Sequence, residues 1–178
     1  EKVALVIPDP LNPRYSYAAG KIISEIMLLN TNFFKRAVVF RPHNIYGPNM
    51  GYNHVIPEII LKSLNSKKFL KIEGQGNHTR SFCYIDDFVR AFDVLLNKGK
   101  DKNIYNIGTE EEIKIKDLVK KIIFLSKKKL IIKKSKEKLG NTKRRCPNIS
   151  KIKKIGFKPK IQLNVGLRKT FDWYNKEI

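Results

Sequence analysis

The chain has 178 residues and a mass of 20.7 kDa, which is long enough to bury one hydrophobic core. Its hydrophobic content of 42% excludes an intrinsically disordered protein, and its formal net charge of +21 raises the question of a polyanion partner. No apolar run approaches the ~18 residues that a membrane span needs, and no charged-then-apolar signal opens the sequence. We therefore expect a soluble cytoplasmic protein with no membrane partner.

The positive charge is concentrated in one part of the chain. Residues 98–160 carry 20 lysines and 2 arginines against 6 acidic residues, so +16 of the net charge lies there. Lysines in this part recur on what would be the solvent faces of ordinary elements, as in the segment 115–124. We interpret the surplus as a lysine-rich solvated surface. Nucleic-acid binding is the less favoured alternative, because no recognised binding motif accompanies the charge.

The first feature with chemical meaning is the pair Tyr17 and Lys21, at the opening of a helix-like segment. Side chains four residues apart lie about 40° apart around a helix and about 6 Å apart along it. A phenol keeps its proton until about pH 10, and a cation held beside it lowers that pKa toward neutrality. Such a pair suits removal of a hydroxyl proton while a hydride leaves the same carbon. The alternative is an ordinary pair on a helix surface.

Strand and helix patterns alternate along the rest of the chain, which predicts an α/β fold. A β-branched apolar run is typical of a buried parallel strand, and apolar residues at three- and four-residue intervals predict amphipathic helices. In chain order we predict a strand at 36–41, helices at 53–64 and 86–96, a strand at 103–108, a helix at 115–126, a strand at 129–133, a short helix from 148 to about 156 and a helix at 165–176. Asp86 or Asp87 is expected to be the N-cap of the helix at 86–96.

A glycine-rich turn between a strand and a helix is the usual phosphate cradle of a doubly wound dinucleotide site. The sequence contains no such turn. Gly74-Gln-Gly76 has Thr79 in the place of a third glycine, and it follows a predicted strand without opening a helix. We interpret this segment as a turn.

Cysteines and histidines do not predict a metal site. The two cysteines, Cys83 and Cys146, lack the paired spacing of zinc ligands, and Cys83 is expected to pack in the core. The three histidines, His43, His54 and His78, lie in three different sequence contexts without helical i, i+4 spacing.

Four further segments complete a recognisable pattern with Tyr17 and Lys21. They are 41–48 (RPHNIYGP), 79–87 (TRSFCYIDD), 105–108 (YNIG) and 144–151 (RRCPNISK) ahead of 155–159 (IGFKP). In this order and spacing the chain resembles the extended short-chain dehydrogenase/reductases that act on nucleotide sugars, namely the NAD-dependent epimerases, 4,6-dehydratases and UDP-glucuronate decarboxylases. The resemblance covers essentially the whole chain and corresponds to the C-terminal half, or slightly more, of the family.

The resemblance implies roles for residues of a catalytic and cofactor site. Tyr17 resembles the general base that takes the proton from the sugar hydroxyl and returns it on reduction. Lys21 resembles the residue that binds the nicotinamide ribose and lowers the pKa of the tyrosine. Pro42 and His43 occupy positions that lie against the nicotinamide of NAD in the family.

The resemblance also implies a site for a nucleoside-diphosphate sugar. Asn44 resembles an asparagine that hydrogen-bonds the substrate, although a turn-forming role would also suit its small polar side chain. His54 and Val55 align with a segment that lines the sugar-nucleotide pocket. Arg80 and Arg145 resemble the arginines that grip the diphosphate, a task suited to a planar bidentate donor; the alternative for each is an exposed surface residue.

The implied fold is the C-terminal part of a Rossmann-type doubly wound sheet, at about 1–50 and 80–108, with a small substrate-binding α/β lobe at about 51–79 and 109–178. The implied function is NAD-dependent epimerisation or dehydration of a nucleotide sugar through transient oxidation at C4, by a homodimer. The family's glycine-rich half precedes the position of Glu1, so we expect the C-terminal portion of a longer protein or the product of a split gene. A non-catalytic sugar-nucleotide-binding remnant is the alternative.

Overall fold

The structure, a computed structural model, describes residues 1, 4–7, 9, 11–136 and 142–177. The helices are α1 (Arg14–Asn30), α2 (Val55–Asn65), α3 (Ile85–Lys98), α4 (Ile115–Ser126), α5 (Ser150–Lys154) and α6 (Leu163–Glu177). The strands are β1 (Val38–Pro42), β2 (Ile45–Tyr46), β3 (Phe69–Glu73), β4 (Thr79–Ser81), β5 (Cys83–Tyr84), β6 (Asn103–Ile107), β7 (Glu112–Lys114), β8 (Ile131–Ser135) and β9 (Arg144–Arg145). None of the helices in these ranges has both the length and the apolar character that a bilayer crossing demands.

The strands β1 and β6 form a parallel pair that is covered by α3. Pro42 lies opposite Ile107, so the carboxyl ends of both strands reach the same edge. The ring of Phe40 on β1 makes edge-to-face contacts with Phe88 and Phe92 of α3, at centroid distances of 6.0 and 5.6 Å. The apolar faces of a parallel pair have to be covered in this way.

The remaining strands form three small sheets. β2 pairs with β5 and β3 pairs with β8, both in parallel. β4 is the centre of a three-stranded sheet, antiparallel to β7 and parallel to β9. The pairing of β4 with β9 sets Arg80 directly opposite Arg145, which brings residues 65 positions apart into register.

Two groups of buried side chains hold these elements together. The larger group packs α2, α4 and α6 against β3 and the β2–β5 pair, and the smaller group packs α3 and α5 against β6. Ile149 and Ile152 belong to the smaller group, although they lie in the range assigned to the substrate lobe. The division of the chain into two interleaved parts stays a prediction.

The elements predicted from periodicity are confirmed, with ends that shift by at most two or three residues. The helix predicted at 115–126 has those bounds in the structure. β2, β4, β5, β7 and β9 were not predicted, because strands of two or three residues are too short to show an alternating pattern. Ahead of the short helix α5, Oδ1 of Asn148 accepts the backbone N–H of Ser150 at 2.8 Å.

The turn predicted at Gly74-Gln-Gly76 is also confirmed. Both glycines have left-handed backbone angles, with φ of 58° and 68°. A Cβ atom on Gly76 would lie 2.9 Å from Cδ1 of Ile72, so the turn needs a glycine for space as well as for conformation.

Cys83 is a core residue, as predicted. Its side chain is fully buried in β5. Burial is the main cause that raises the pKa of its thiol to about 12, and the negative charge of Asp87 adds to the effect. The thiol therefore stays protonated at neutral pH, which makes it a poor nucleophile.

The predicted N-cap of α3 is wrong. The helix begins at Ile85, and no side chain caps it. Asp87 instead lies in the first turn, fully buried, where it pairs with Arg90. Its carboxylate also accepts the backbone N–H groups of Lys160 at 2.8 Å and Ile161 at 2.9 Å. Asp87 thus ties α3 to the segment that leads into α6.

We expect Asp87→Ala to lower the free energy of unfolding by about 3 kcal/mol, because it leaves two partly buried backbone N–H groups and a guanidinium without their acceptor. Asp86→Ala is the matched control, since the side chain of Asp86 is half exposed and its pairing with Lys169 contributes at most about 1 kcal/mol. Urea denaturation of both variants measures the difference. Equal losses of unfolding free energy in the two variants would contradict the conclusion that Asp87 joins α3 to the segment before α6.

Candidate functional site

The carboxyl ends of β1 and β6 form the floor of the candidate site. The backbone N–H of His43, just beyond β1, donates to the carbonyl oxygen of Ile107 at 2.9 Å, which continues the pairing by one residue. Open parallel sheets bind ligands outside the carboxyl ends of their strands. The predicted cofactor residues Pro42 and His43 therefore lie where such a fold can hold a ligand.

His43 is half buried at this edge. Its Nε2 atom lies 3.3 Å from Oδ1 of Asn106 on β6. Burial is the main cause that lowers the pKa of His43 below its ordinary value, and the positive charge of Arg41 acts in the same direction. The hydrogen bond with Asn106 and the charge of Glu1 oppose this shift. The net effect favours a neutral imidazole at neutral pH.

Asn44 turns the chain away from β1. Its backbone is left-handed, with φ of 44°, a conformation that asparagine tolerates better than most residues. Its side-chain Nδ2 donates to the carbonyl oxygen of Ser81 at 2.8 Å, and its own carbonyl accepts the N–H of Cys83 at 3.1 Å. The structure thus supports the turn-forming role of Asn44, and the side-chain Oδ1 has no partner among the described hydrogen bonds.

Four of the predicted substrate residues line one cavity of about 260 Å³, which we call the substrate cavity. They are Asn44, His54, Val55 and Arg145. The rest of its wall is mainly apolar and includes Ile45, Tyr46, Met50, Ile56 and Phe82. An apolar cavity with a few converging polar groups is typical of a small-molecule site.

Arg80 lines a second, smaller cavity of about 140 Å³ that shares Val55 with the substrate cavity. The side chain of Arg80 is largely buried, and its Nη1 donates to the carbonyl oxygen of Thr79 at 2.8 Å. Burial, followed by the positive charge of Arg145, lowers the pKa of Arg80. Two guanidinium groups of like charge on adjacent strands favour an anion beside them.

Arg144 differs from its neighbour Arg145. Its guanidinium makes a two-pronged ion pair with the carboxylate of Glu112 on β7, with contacts of 2.9 to 3.1 Å. The hydroxyl of Thr79 also donates to Glu112, and these contacts lower the pKa of that carboxyl group. Successive side chains of a strand point to opposite faces, so only Arg145 of the two reaches the substrate cavity.

Tyr17 and Lys21 lie on one face of α1. The ammonium of Lys21 is 5.5 Å from the centre of the Tyr17 ring. Tyr17 is 73% exposed, and neither residue is among those that line the substrate cavity. The structure therefore brings the pair together without connecting it to the predicted substrate residues, and the catalytic roles of both residues stay predictions.

Glu25 and Arg41 join α1 to the candidate site, and the sequence analysis did not identify them. Nε and Nη2 of Arg41 donate to the two carboxylate oxygens of Glu25 at 2.8 and 2.6 Å. Because this pair is partly shielded and bidentate, it is stronger than an ordinary surface ion pair. The sequence did contain a pattern that could have indicated Glu25. Tyr17, Lys21 and Glu25 are spaced four residues apart, so they lie along one stripe of the helix.

No three His, Cys, Asp or Glu side chains within the described ranges are grouped so that they could hold a metal ion. The polar groups of the candidate site include the imidazole of His43, the amide of Asn44 and the guanidinium groups of Arg80 and Arg145. These groups can orient and bind an anionic, hydroxyl-rich ligand.

Comparison with known proteins identifies the family. A sequence model of the "NAD dependent epimerase/dehydratase family" matches residues 4–108, which is more than half of the chain. The chain belongs to this NAD-dependent epimerase/dehydratase family. The resemblance predicted from the sequence is confirmed, as is the α/β fold of Rossmann type.

Curated relatives of the family are similar over nearly the whole chain. A dTDP-D-glucose 4,6-dehydratase of Dictyostelium discoideum is 33% identical over 92% of this chain and 46% of its own length. The human dTDP-D-glucose 4,6-dehydratase is 32% identical over 96% of this chain and 51% of its own length. The chain thus spans about half the length of the curated relatives it matches.

Solved structures of the family have the same fold. A dTDP-glucose 4,6-dehydratase of Bacillus anthracis in complex with NAD has a TM-score of 0.79 and 28% identity, over 99% of this chain and 57% of that one. A UDP-glucuronic acid 4-epimerase of Bacillus cereus, in complex with UDP-glucuronic acid and NAD, has a TM-score of 0.82 and 27% identity, over 100% of this chain and 58% of that one.

Proposed function

We propose that this chain is the substrate-binding C-terminal portion of an NAD-dependent nucleotide-sugar epimerase or dehydratase. The observation that carries the proposal is the substrate cavity, where Asn44, His54, Val55 and Arg145 converge beside a second arginine, Arg80. The ligand that fits is a nucleoside-diphosphate sugar. Its diphosphate requires directional cations, and its sugar requires an amide and an apolar wall.

Arg80 and Arg145 would hold the diphosphate between adjacent strands. The strands of a sheet are about 4.8 Å apart, and the two arginines are opposite each other in β4 and β9. A diphosphate between them would remove their mutual repulsion and accept several charge-assisted hydrogen bonds. This gain in the bound state supports a binding role for both arginines, of which Arg80 is buried and Arg145 is exposed.

Asn44 would orient the sugar. One hydrogen bond to the carbonyl oxygen of Ser81 fixes its amide group, which leaves Oδ1 to accept a bond from a sugar hydroxyl. A preorganised amide binds at a lower cost in conformational entropy than a freely rotating one. The turn and the ligand role of Asn44 are therefore compatible.

Tyr17 would act as the base that takes the proton from the hydroxyl at C4, and it would return that proton when the carbon is reduced again. Lys21 would stabilise the phenolate by its positive charge. The ammonium lies close enough for this effect once the pair is shielded from water. The ion pair of Glu25 with Arg41 would fix the helix that carries both residues relative to the end of β1.

NAD would supply the hydride acceptor for the transient oxidation at C4. The chain's own residues fit one end of that molecule. Pro42 and the neutral His43 offer an uncharged surface for the nicotinamide ring, and Lys21 offers a donor for a ribose hydroxyl. The sequence contains no glycine-rich turn that could bind the pyrophosphate of NAD, so these residues fit the nicotinamide end alone.

The separation of Tyr17 and Lys21 from the substrate cavity favours one second candidate, a non-catalytic sugar-nucleotide-binding remnant. Such a protein would keep Arg80 and Arg145 but would not retain NAD. Calorimetry with UDP-glucose, dTDP-glucose and NAD on the full-length protein that the proposal implies separates the two candidates: binding of a nucleotide sugar without NAD supports the remnant.

We expect Arg145→Gln to weaken the binding of the nucleotide sugar by at least about tenfold, the cost of losing charge-assisted hydrogen bonds. Arg144→Gln is the matched control, because it removes the same charge from the neighbouring residue. The guanidinium of Arg144 pairs with Glu112 and does not line the substrate cavity. Calorimetry at a fixed salt concentration gives both dissociation constants. Equal weakening, together with salt-sensitive binding to any DNA or RNA, would instead support the polyanion alternative.

Tyr17→Phe in the full-length protein that this proposal implies should lower kcat by a factor of about 100 or more, the usual contribution of a general base. The affinity for the nucleotide sugar should stay nearly unchanged. Tyr15→Phe removes a hydroxyl two residues away on the same helix and serves as the control. Undiminished turnover in Tyr17→Phe would remove Tyr17 from the mechanism.

The proposal includes a homodimer through α1. This helix exposes Ile23, Ile26 and Met27 by 55%, 56% and 67%, and none of its described side chains is fully buried. At about 100° per residue these three side chains lie on one face of the helix, and an apolar face of this kind is stabilised when a partner covers it. Ile26→Lys should abolish the dimer, as measured by sedimentation velocity. Ser24→Lys, at an exposed polar position of α1, is the control and should leave the dimer intact. A wild-type chain that is monomeric at high micromolar concentration would contradict the proposed dimer.

A further inference from the structure

Asn106 on β6 connects two parts of the candidate site that are far apart in sequence. Its side chain is largely buried. Oδ1 lies 3.3 Å from Nε2 of His43, and Nδ2 donates to the carbonyl oxygen of Asn148 at 3.1 Å. Both polar atoms of the Asn106 amide are therefore hydrogen-bonded. The oxygen bonds to the predicted cofactor residue His43, and the nitrogen bonds to the segment that follows Arg145.

The hydrogen-bond partners determine how the amide is oriented. The carbonyl oxygen of Asn148 can only accept, so the amide nitrogen of Asn106 must face it. Oδ1 then faces His43 and can only accept as well, which requires Nε2 of His43 to carry a proton. In the neutral ring, Nδ1 is consequently the atom left with a free lone pair.

Close packing reinforces this connection. Gly108, two residues beyond Asn106, lies against His43 and against Pro147, the residue before Asn148: a Cβ atom there would be 2.9 Å from Cγ of Pro147 and 3.2 Å from Cβ of His43. Asn148 is also held by its side chain, because its Oδ1 accepts the backbone N–H of Ser150 at the start of α5, at 2.8 Å. This segment therefore has little freedom to move without the amide of Asn106.

We propose that Asn106 is a positioning residue, which fixes the ring of His43 and the segment that carries Arg145 relative to each other. The consequence for binding rests on the proposed function, since it assigns His43 to the cofactor and Arg145 to the diphosphate. The effect on the His43 ring does not depend on that function. Asn106 would thus couple the two ligands by a single side chain.

Two substitutions of Asn106 should move the pKa of His43 in opposite directions. Asn106→Asp places an anion beside Nε2, so the pKa should rise by about 1 or more. Asn106→Leu removes the acceptor from a ring that stays buried near Arg41, so the pKa should fall below the wild-type value. A merely loosened structure would admit water and raise the pKa in both variants. Glu1, whose carboxylate accepts the backbone N–H of Asn106, is retained in both.

The experiment is an NMR titration of the histidine ring signals in this chain, with His43 assigned by His43→Gln and with His54 and His78 as internal references. Asn103→Asp is the matched control, because it adds the same charge to the same strand about 10 Å away. Opposite shifts in the two Asn106 variants, with no comparable shift in Asn103→Asp, support the proposal. Shifts in the same direction, or none, overturn it. If Asn106→Leu does not fold, a pKa that is unchanged in Asn106→Asp also overturns it.

Calorimetry with UDP-glucose and dTDP-glucose tests the second connection. Both Asn106 variants should weaken binding by about tenfold, since the segment carrying Arg145 loses its buried hydrogen bond. Unchanged affinity would refute the coupling to that segment. If the wild-type chain binds neither sugar nucleotide, the proposed function fails, while the titration still decides whether Asn106 positions His43.

Discussion

The parallel register of β1 on β6 is the constraint on which the candidate site depends. It sets Arg41 opposite Asn106 and Pro42 opposite Ile107, so the two strands end together and His43 reaches the amide of Asn106. A slip of one residue would turn every side chain of β1 to the other face. Arg41 would then lose Glu25 and with it the anchor of α1, and Asn44 would no longer meet Ser81. One pairing thus fixes the positions of His43 and Asn44 and the attachment of α1.

Local sequence patterns predicted the elements whose apolar repeat extends over many residues. They did not predict contacts between residues that are far apart in the sequence. The bounds of α4 followed from apolar residues that repeat over 12 positions. Asp87 was misassigned because two carboxylates before an amphipathic run look the same whether they cap the helix or bind elsewhere. The N–H groups that Asp87 accepts lie 73 and 74 residues further along the chain, and no local pattern indicates them.

The site residues show the same limit. The family pattern named Asn44, His54, Val55 and Arg145 individually, but their convergence on one cavity depends on β2, β4, β5 and β9, which have two or three residues each. The difference between Arg144 and Arg145 could not be predicted either, because it depends on which of two adjacent residues faces Glu112. The alternation of side chains along a strand shows which of the two arginines faces Glu112 only when the pairing of β9 with β4 is known.

The electrostatics of the site differ from those of the lysine-rich surface. Exposed lysines contribute a field that salt screens over about 8 Å, and they select no particular anion. Arg80 is largely buried and paired in register with Arg145, so its charge is less screened and its donors have a fixed direction. A protonated His43 would add a positive charge beside Arg41, whose own charge is balanced by Glu25, and burial opposes that protonation. Arg80 and Arg145 thus supply directed positive charge that a diphosphate can meet, while a neutral His43 remains suited to an uncharged or cationic face of a ligand.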